Sequence, residues 1–170
     1  GDEDALTGKN WENPVGFFER KDMRAICDST LHACGAEWWK VANFDAERVP
    51  HSVVQAKLPE MQAVVSRLNE GAGKEGVWVA KEPRLCFLYP ILQRVLLQPQ
   101  LILAVRHPVE VAKSLRHRNG FTLAAGLALW EAYTAAAIRS STGNRHVIVN
   151  YDNLVSDPSR TLSKLAGDLE

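Results

Sequence analysis

Arg106 and Ser114 are the side chains whose types and spacing most resemble an anion grip. Arg106 follows the apolar run Leu101-Ile-Leu-Ala-Val105 and precedes His107-Pro108, and Ser114 stands eight residues further on. A guanidinium offers paired donors to a phosphate, and a hydroxyl adds one more. The apolar run predicts a strand over 101–106, buried on both faces as in a parallel sheet. Pro108 suits the first position of a following helix and Glu110 its positive end. Arg116, His117 and Arg118 suit the opposite end, before Gly120. Arg106 then lies at the carboxyl end of a strand, where open α/β sheets take ligands. Ser114 falls about two turns into the helix, on the side of residues 107, 110 and 111. The plainer alternatives are an arginine paired to a helix carboxylate and a serine tolerated in a helix.

The charge distribution agrees with a local anion site. The 20 Lys/Arg balance 20 Asp/Glu, so nothing global points to nucleic acid or an anionic membrane. Residues 1–80 carry nine Lys/Arg against 13 Asp/Glu, residues 81–118 carry seven against two, and residues 119–170 carry four against five. A local excess of positive charge in a neutral chain is a focused field rather than a polyanion-binding surface; a solvated basic helix face is the bland alternative.

The 170 residues suffice for one domain with a real core. Cys27, Cys34 and Cys86 form no C-x-x-C pair, and the expected compartment is reducing and cytoplasmic. There is no run of 18 apolar residues and no signal-like opening segment. His32, His51, His117 and His146 lack metal-ligand spacing, so no metal site is expected.

These groups need elements to hold them. Residues 1–16 read as a loop. A helix is expected over 17–34, with Met23, Ile26, Cys27, Leu31 and Cys34 on one stripe. Residues 36–56 read as irregular. A second helix fits 59–69, opened by Pro59, and Gly71, Gly73 and Gly76 lead into a strand at 77–80. A short helix at 85–97, the strand at 101–106, its helix, a long apolar helix at 123–140 and a third buried strand at 146–150 follow. Asp157-Pro158 caps a last helix carrying Leu162, Leu165, Ala166 and Leu169. Strands alternating with helices imply an α/β layered fold with a parallel sheet.

Several segments together resemble a known family. They are Asn13-Pro-Val-Gly16-Phe-Phe-Glu19, Lys81-Glu-Pro-Arg84-Leu and Arg106-His-Pro-x-Glu-Val-Ala-x-Ser114-Leu. Gly126-Leu-Ala-Leu-Trp130-Glu-x-Tyr133 and Tyr151-Asp-Asn-Leu-x-x-Asp157-Pro158 follow in order. In this they are similar to a bacterial sulfotransferase domain. The resemblance implies a three-layer, P-loop-like α/β fold with a small parallel sheet flanked by helices. It also implies transfer of a sulfuryl group from 3′-phosphoadenosine 5′-phosphosulfate (PAPS) to a hydroxyl or amine.

Carried over by motif, Arg106 and Ser114 match the pair that holds the donor's 3′-phosphate, in PAPS or in its product PAP. Lys81 matches the lysine that stabilises charge on the oxygen released as the sulfuryl group leaves, a role that needs a cation where negative charge develops. The sequence departs from cytosolic members at Pro83, where they place a catalytic histidine. The base is then a carboxylate from elsewhere, with Glu19, at the expected start of the first helix, the candidate and Glu82 the runner-up. A first-turn acid complementing the helix dipole is the plainer reading of Glu19. His107 reads as a polar group at the helix entrance. Trp130 and Tyr133 read as core aromatics, with contact to a nucleotide base as the sharper alternative.

The family's opening strand and glycine-rich phosphate loop have no counterpart; Thr7-Gly8-Lys9 lacks a preceding strand and a second glycine. The expectation is therefore a single, partial domain over 1–170 that keeps the 3′-phosphate half of the donor site, with little turnover. Its acceptor would be a small molecule or glycan, with no nucleic acid or membrane partner, and a homodimer is expected from strands short of a neighbour. The alternatives are a non-catalytic α/β module binding a nucleotide or partner, and an ATP-using kinase relative. The kinase lacks a Gly-Lys-Ser/Thr loop and a strand-end aspartate.

Overall fold

In the computed structural model, which describes residues 5–9, 16–73 and 76–169, the chain is mixed α/β, mostly helical, with one two-stranded parallel sheet. Asn13, Pro14 and Val15 of the family-like segment lie outside the described residues. The chain divides into two compact units, Gly1–Leu97 and Gln98–Glu170.

The first unit is helical. Helix α1, Lys21–Ala33, buries Met23, Ile26, Cys27, Thr30 and Leu31. It starts four residues later than the apolar stripe suggests, because residues 16–20 are committed elsewhere. The backbone N–H of Thr7 donates to the Glu19 carbonyl at 2.7 Å, and that of Phe18 to the Thr7 carbonyl at 3.1 Å. Glu19 is consequently not a first-turn acid of α1; it sits in the extended stretch before it.

Helix α2, His51–Ala72, begins eight residues before Pro59 rather than at it. Val54, Leu58, Met61, Val65 and Leu68 form one continuous stripe through the proline. Pro59 lies on the exposed side, where water can take the carbonyl bond that a proline leaves open. Helix α3, Leu85–Leu92, buries Phe87, Leu88, Tyr89, Ile91 and Leu92, and Phe87 meets Phe44 edge-to-face at 5.9 Å.

The expected strand at 77–80 is absent. Residues 76–82 have no ladder partner among the described residues, and Val77 and Val79 are 89% and 77% exposed. The segment keeps a strand's alternation: Trp78 and Ala80 are half-buried, and Glu82 and Arg84 are buried. Pleat without a neighbour leaves an extended arm rather than a sheet.

In the second unit, β1, Leu101–Val105, pairs in parallel with β2, His146–Asn150, with Leu101 opposite His146 and Val105 opposite Asn150. The sheet thus has two strands rather than three. β1 is not buried on both faces; it alternates half-buried and exposed residues, Ile102 and Ala104 being exposed. Helix α4, Pro108–Asn119, opens on proline as expected and ends at Gly120, whose φ of 71° is the left-handed turn that favours glycine. Helix α5, Leu123–Ser141, is capped by Thr122 Oγ1, which accepts from the Ala125 N–H at 3.1 Å. After β2 comes a short helix the sequence reading did not separate, α6, Tyr151–Ser156, capped by Asn150, and then α7, Pro158–Leu169. Asp157 Oδ1 accepts from the Arg160 N–H, the cap expected there.

Candidate functional site

Parallel pairing puts the carboxyl ends of β1 and β2 side by side, so the residue after each strand arrives at the same edge. Arg106 follows Val105 and Tyr151 follows Asn150, and those strand residues are register partners. The Arg106 guanidinium carbon lies 4.7 Å from the centre of the Tyr151 ring, a cation–π stack. Its Nε is buried with no hydrogen-bond partner among the described residues. A desolvated guanidinium N–H left unpaired is costly, and the group it lacks is a hydrogen-bond acceptor.

The main chain at Arg106 is fixed from α5. Trp130 Nε1 donates to the Arg106 carbonyl at 3.1 Å. One turn away, Gly126 lies against α4 so closely that a Cβ there would stand 2.8 Å from Ala112 Cα. Trp130 is thus a half-buried anchor rather than a simple core aromatic. No side chain caps the start of α4, where His107 is exposed. Glu110, in the first turn, is pulled below the usual carboxylate range, foremost by its hydrogen bond from Lys113 and then by the charges of Lys113, Arg106 and His107. Ser114 is exposed on α4, one helical turn beyond Glu110, and no hydrogen bond joins it to Arg106 among the described residues.

The other two expected site residues meet in the first unit. Lys81 Nζ donates to Glu19 Oε1 at 2.5 Å and to the Phe17 carbonyl at 2.9 Å. The Lys81 side chain is 57% exposed and that of Glu19 only 6%. Thr7 Oγ1 lies 3.0 Å from Glu19 Oε2, so both carboxylate oxygens are engaged. The presenting turn is strained: Gly16 has φ 115°, a glycine conformation, and Phe18 has φ 58°.

Sequence reasoning missed a second ionic cluster beside this one. The Glu82 side chain is fully buried, and its Oε1 accepts from Arg84 Nη1 at 2.7 Å and from the Arg84 N–H at 3.0 Å. Arg84 Nε donates to Asp28 Oδ1 at 2.5 Å, tying the arm to α1. Glu82 Oε2 has no hydrogen-bond partner among the described residues. Glu82 is thus committed to Arg84, which sets it apart from Lys81 and Glu19. The available sequence signal was the Glu-x-Arg spacing; the partner on α1 lies 56 residues from Arg84 and leaves no local trace.

Burial pushes the Cys27 thiol far up, helped by the charge of Glu82, and pushes Cys86 up to about 11. Among the described residues no group of His, Cys, Asp and Glu could hold a metal ion, and no single helix is long and apolar enough to cross a membrane. A concavity of about 330 Å³ in the first unit is lined by Cys34, Phe44, Arg48 and Pro50 among others, none of them an expected site residue.

Set against known proteins, the chain matches no family model, no curated protein and no solved structure. The resemblance to sulfotransferases rests on its residues alone.

Proposed function

We propose that the chain is a sulfotransferase-like domain of P-loop-like type whose second unit binds the 3′-phosphate of PAPS or PAP through Arg106. The observation that supports this best is the buried, unpartnered Nε of Arg106 at the carboxyl edge of a parallel strand pair. Strand ends of this kind are where α/β sheets receive ligands, and a phosphate would satisfy the orphaned donor. Ser114, exposed on α4, is the proposed further hydroxyl by motif match alone. The acceptor is a hydroxyl or amine on a small molecule or glycan.

In the transfer, the acceptor oxygen or nitrogen forms a bond to sulfur while the bond between sulfur and the donor's phosphate oxygen breaks. The electron pair goes to that oxygen and the acceptor's proton to a base. Lys81 is the proposed cation for the developing charge by motif match alone; its ammonium donates to the Glu19 carboxylate and the Phe17 carbonyl within the first unit. Glu19 is the proposed base by the same motif match.

A second reading is a non-catalytic nucleotide-binding module. It is favoured by the same Lys81–Glu19 pair, since both Glu19 oxygens are already engaged and the contact clamps residues 7 and 17–19 to the arm.

Titration calorimetry with 3′,5′-ADP against 5′-AMP tests the site. Binding at least tenfold tighter for 3′,5′-ADP, abolished in Arg106→Ala, is expected. Equal affinity for the two nucleotides sinks the proposal. Sulfuryl transfer from PAPS to hydroxyl and amine acceptors, lost in Lys81→Ala, separates the first reading from the second.

A further inference from the structure

We infer that Trp130 is a positioning residue: its indole N–H, held by the close packing of α5 on α4, fixes the direction in which Arg106 presents its guanidinium. The inference rests on the phosphate-site reading above and assigns a role that the motif comparison did not.

Arg106 stands at a junction where the chain leaves β1 and has not yet entered α4. A strand-end residue has no ladder bond beyond it, so its carbonyl orientation is free unless another group fixes it. Trp130 Nε1 takes that carbonyl at 3.1 Å. The donor cannot drift, because Gly126, four residues earlier on the same helix face, already touches Ala112 of α4, which is fully buried. Four residues is about one helical turn, so Gly126 and Trp130 act on neighbouring levels of one face. The held carbonyl narrows the backbone torsions from which the Arg106 side chain starts, and the Tyr151 ring 4.7 Å away limits where the guanidinium can go. Three contacts thus aim one cation: a backbone bond, a close helix approach and a ring. The unpartnered Nε is held ready rather than left to find an internal acceptor.

The consequence is specific. Loss of the indole N–H loosens the aim of Arg106 and weakens recognition of the 3′-phosphate, without a matching loss for a nucleotide that lacks it. A structural role alone weakens both nucleotides together. Trp130→Phe keeps a flat apolar ring and removes the donor. The measured quantity is the ratio of affinities for 3′,5′-ADP and 5′-AMP in wild type and Trp130→Phe, with the melting temperature recorded alongside. The expected ratio falls roughly three- to tenfold, the effect of one hydrogen bond. An unchanged ratio overturns the inference, whatever happens to the melting temperature. Failure of the wild type itself to discriminate overturns the phosphate-site reading first, and the role of Trp130 with it.

If Trp130→Phe does not fold, the wild type still decides. The Trp130 indole N–H resonance should move on addition of 3′,5′-ADP and stay in place with 5′-AMP. Equal movement, or none with either, overturns the inference.

Discussion

Glu110 shows how single side chains tune the edge where Arg106 stands. Its carboxyl is held below the usual range, first by the Lys113 hydrogen bond, so it stays ionised throughout the neutral range and opposes any phosphate near Arg106. Glu110→Gln should tighten 3′,5′-ADP binding by about two- to threefold at low salt, with the gain shrinking as salt rises. A salt-independent loss of affinity in calorimetry would mean that Glu110 helps the ligand instead. The thiols give a second check. Cys27 is buried and Cys86 is raised to about 11, while Cys34 is the least buried of the three. Iodoacetamide at pH 8 should label Cys34 first in the folded protein, and mass spectrometry finding Cys27 labelled early would contradict the packing of α1. The sequence brought Arg106 and Ser114 forward as a pair by their spacing, and Lys81 and Glu19 each through the family resemblance. The Lys81–Glu19 contact spans 62 residues and the Arg106–Tyr151 stack depends on strand register, so neither pairing had a local signal.

Elements were legible where local chemistry decides them and obscure where a distant neighbour does. β1 and α4 follow from an apolar run, Pro108 and Gly120, all readable in place. The arm at 77–80 has a strand's alternation, yet alternation cannot say whether another strand lies alongside. In α2 a strong local rule misled: Pro59 fits a helix start, but the stripe running through it from Val54 to Leu68 overrode the proline. Removing that internal cost makes a test. Pro59→Ala should stabilise the first unit by about 1–3 kcal/mol, less than the full penalty because the unfolded chain also gains freedom. A fall in urea midpoint would mean that the proline itself is needed for packing. At the α4–α5 crossing the expected sign is opposite. Gly126→Ala drives a Cβ to within 2.8 Å of Ala112 Cα, and the helices must part at a cost of about 1–3 kcal/mol.

The two units differ in how much holds each together, and that difference sets where a ligand should act. Gly1–Leu97 buries Met23, Leu31, Met61, Val64, Leu88 and Ile91 almost completely. In Gln98–Glu170 the buried apolar side chains are Ala112, Leu115, Ala136 and Val149, and α7 buries none of its residues. Small side chains remove little apolar surface, so the second unit opens at lower free energy. A ligand that binds only its closed form stabilises it by about 2.7 kcal/mol at a hundredfold excess over the dissociation constant. Amide hydrogen exchange should therefore run faster in β1, β2 and α4 to α7 than in α1 to α3 of the free protein. Saturating 3′,5′-ADP should slow exchange in β1, α4 and β2 by about 100-fold, through the same linkage, while 5′-AMP leaves those rates nearly unchanged. Slowing confined to α1–α3 would move the phosphate site out of the second unit and away from Arg106. Slowing that survives Arg106→Ala would keep the nucleotide in that unit but take the 3′-phosphate off the guanidinium.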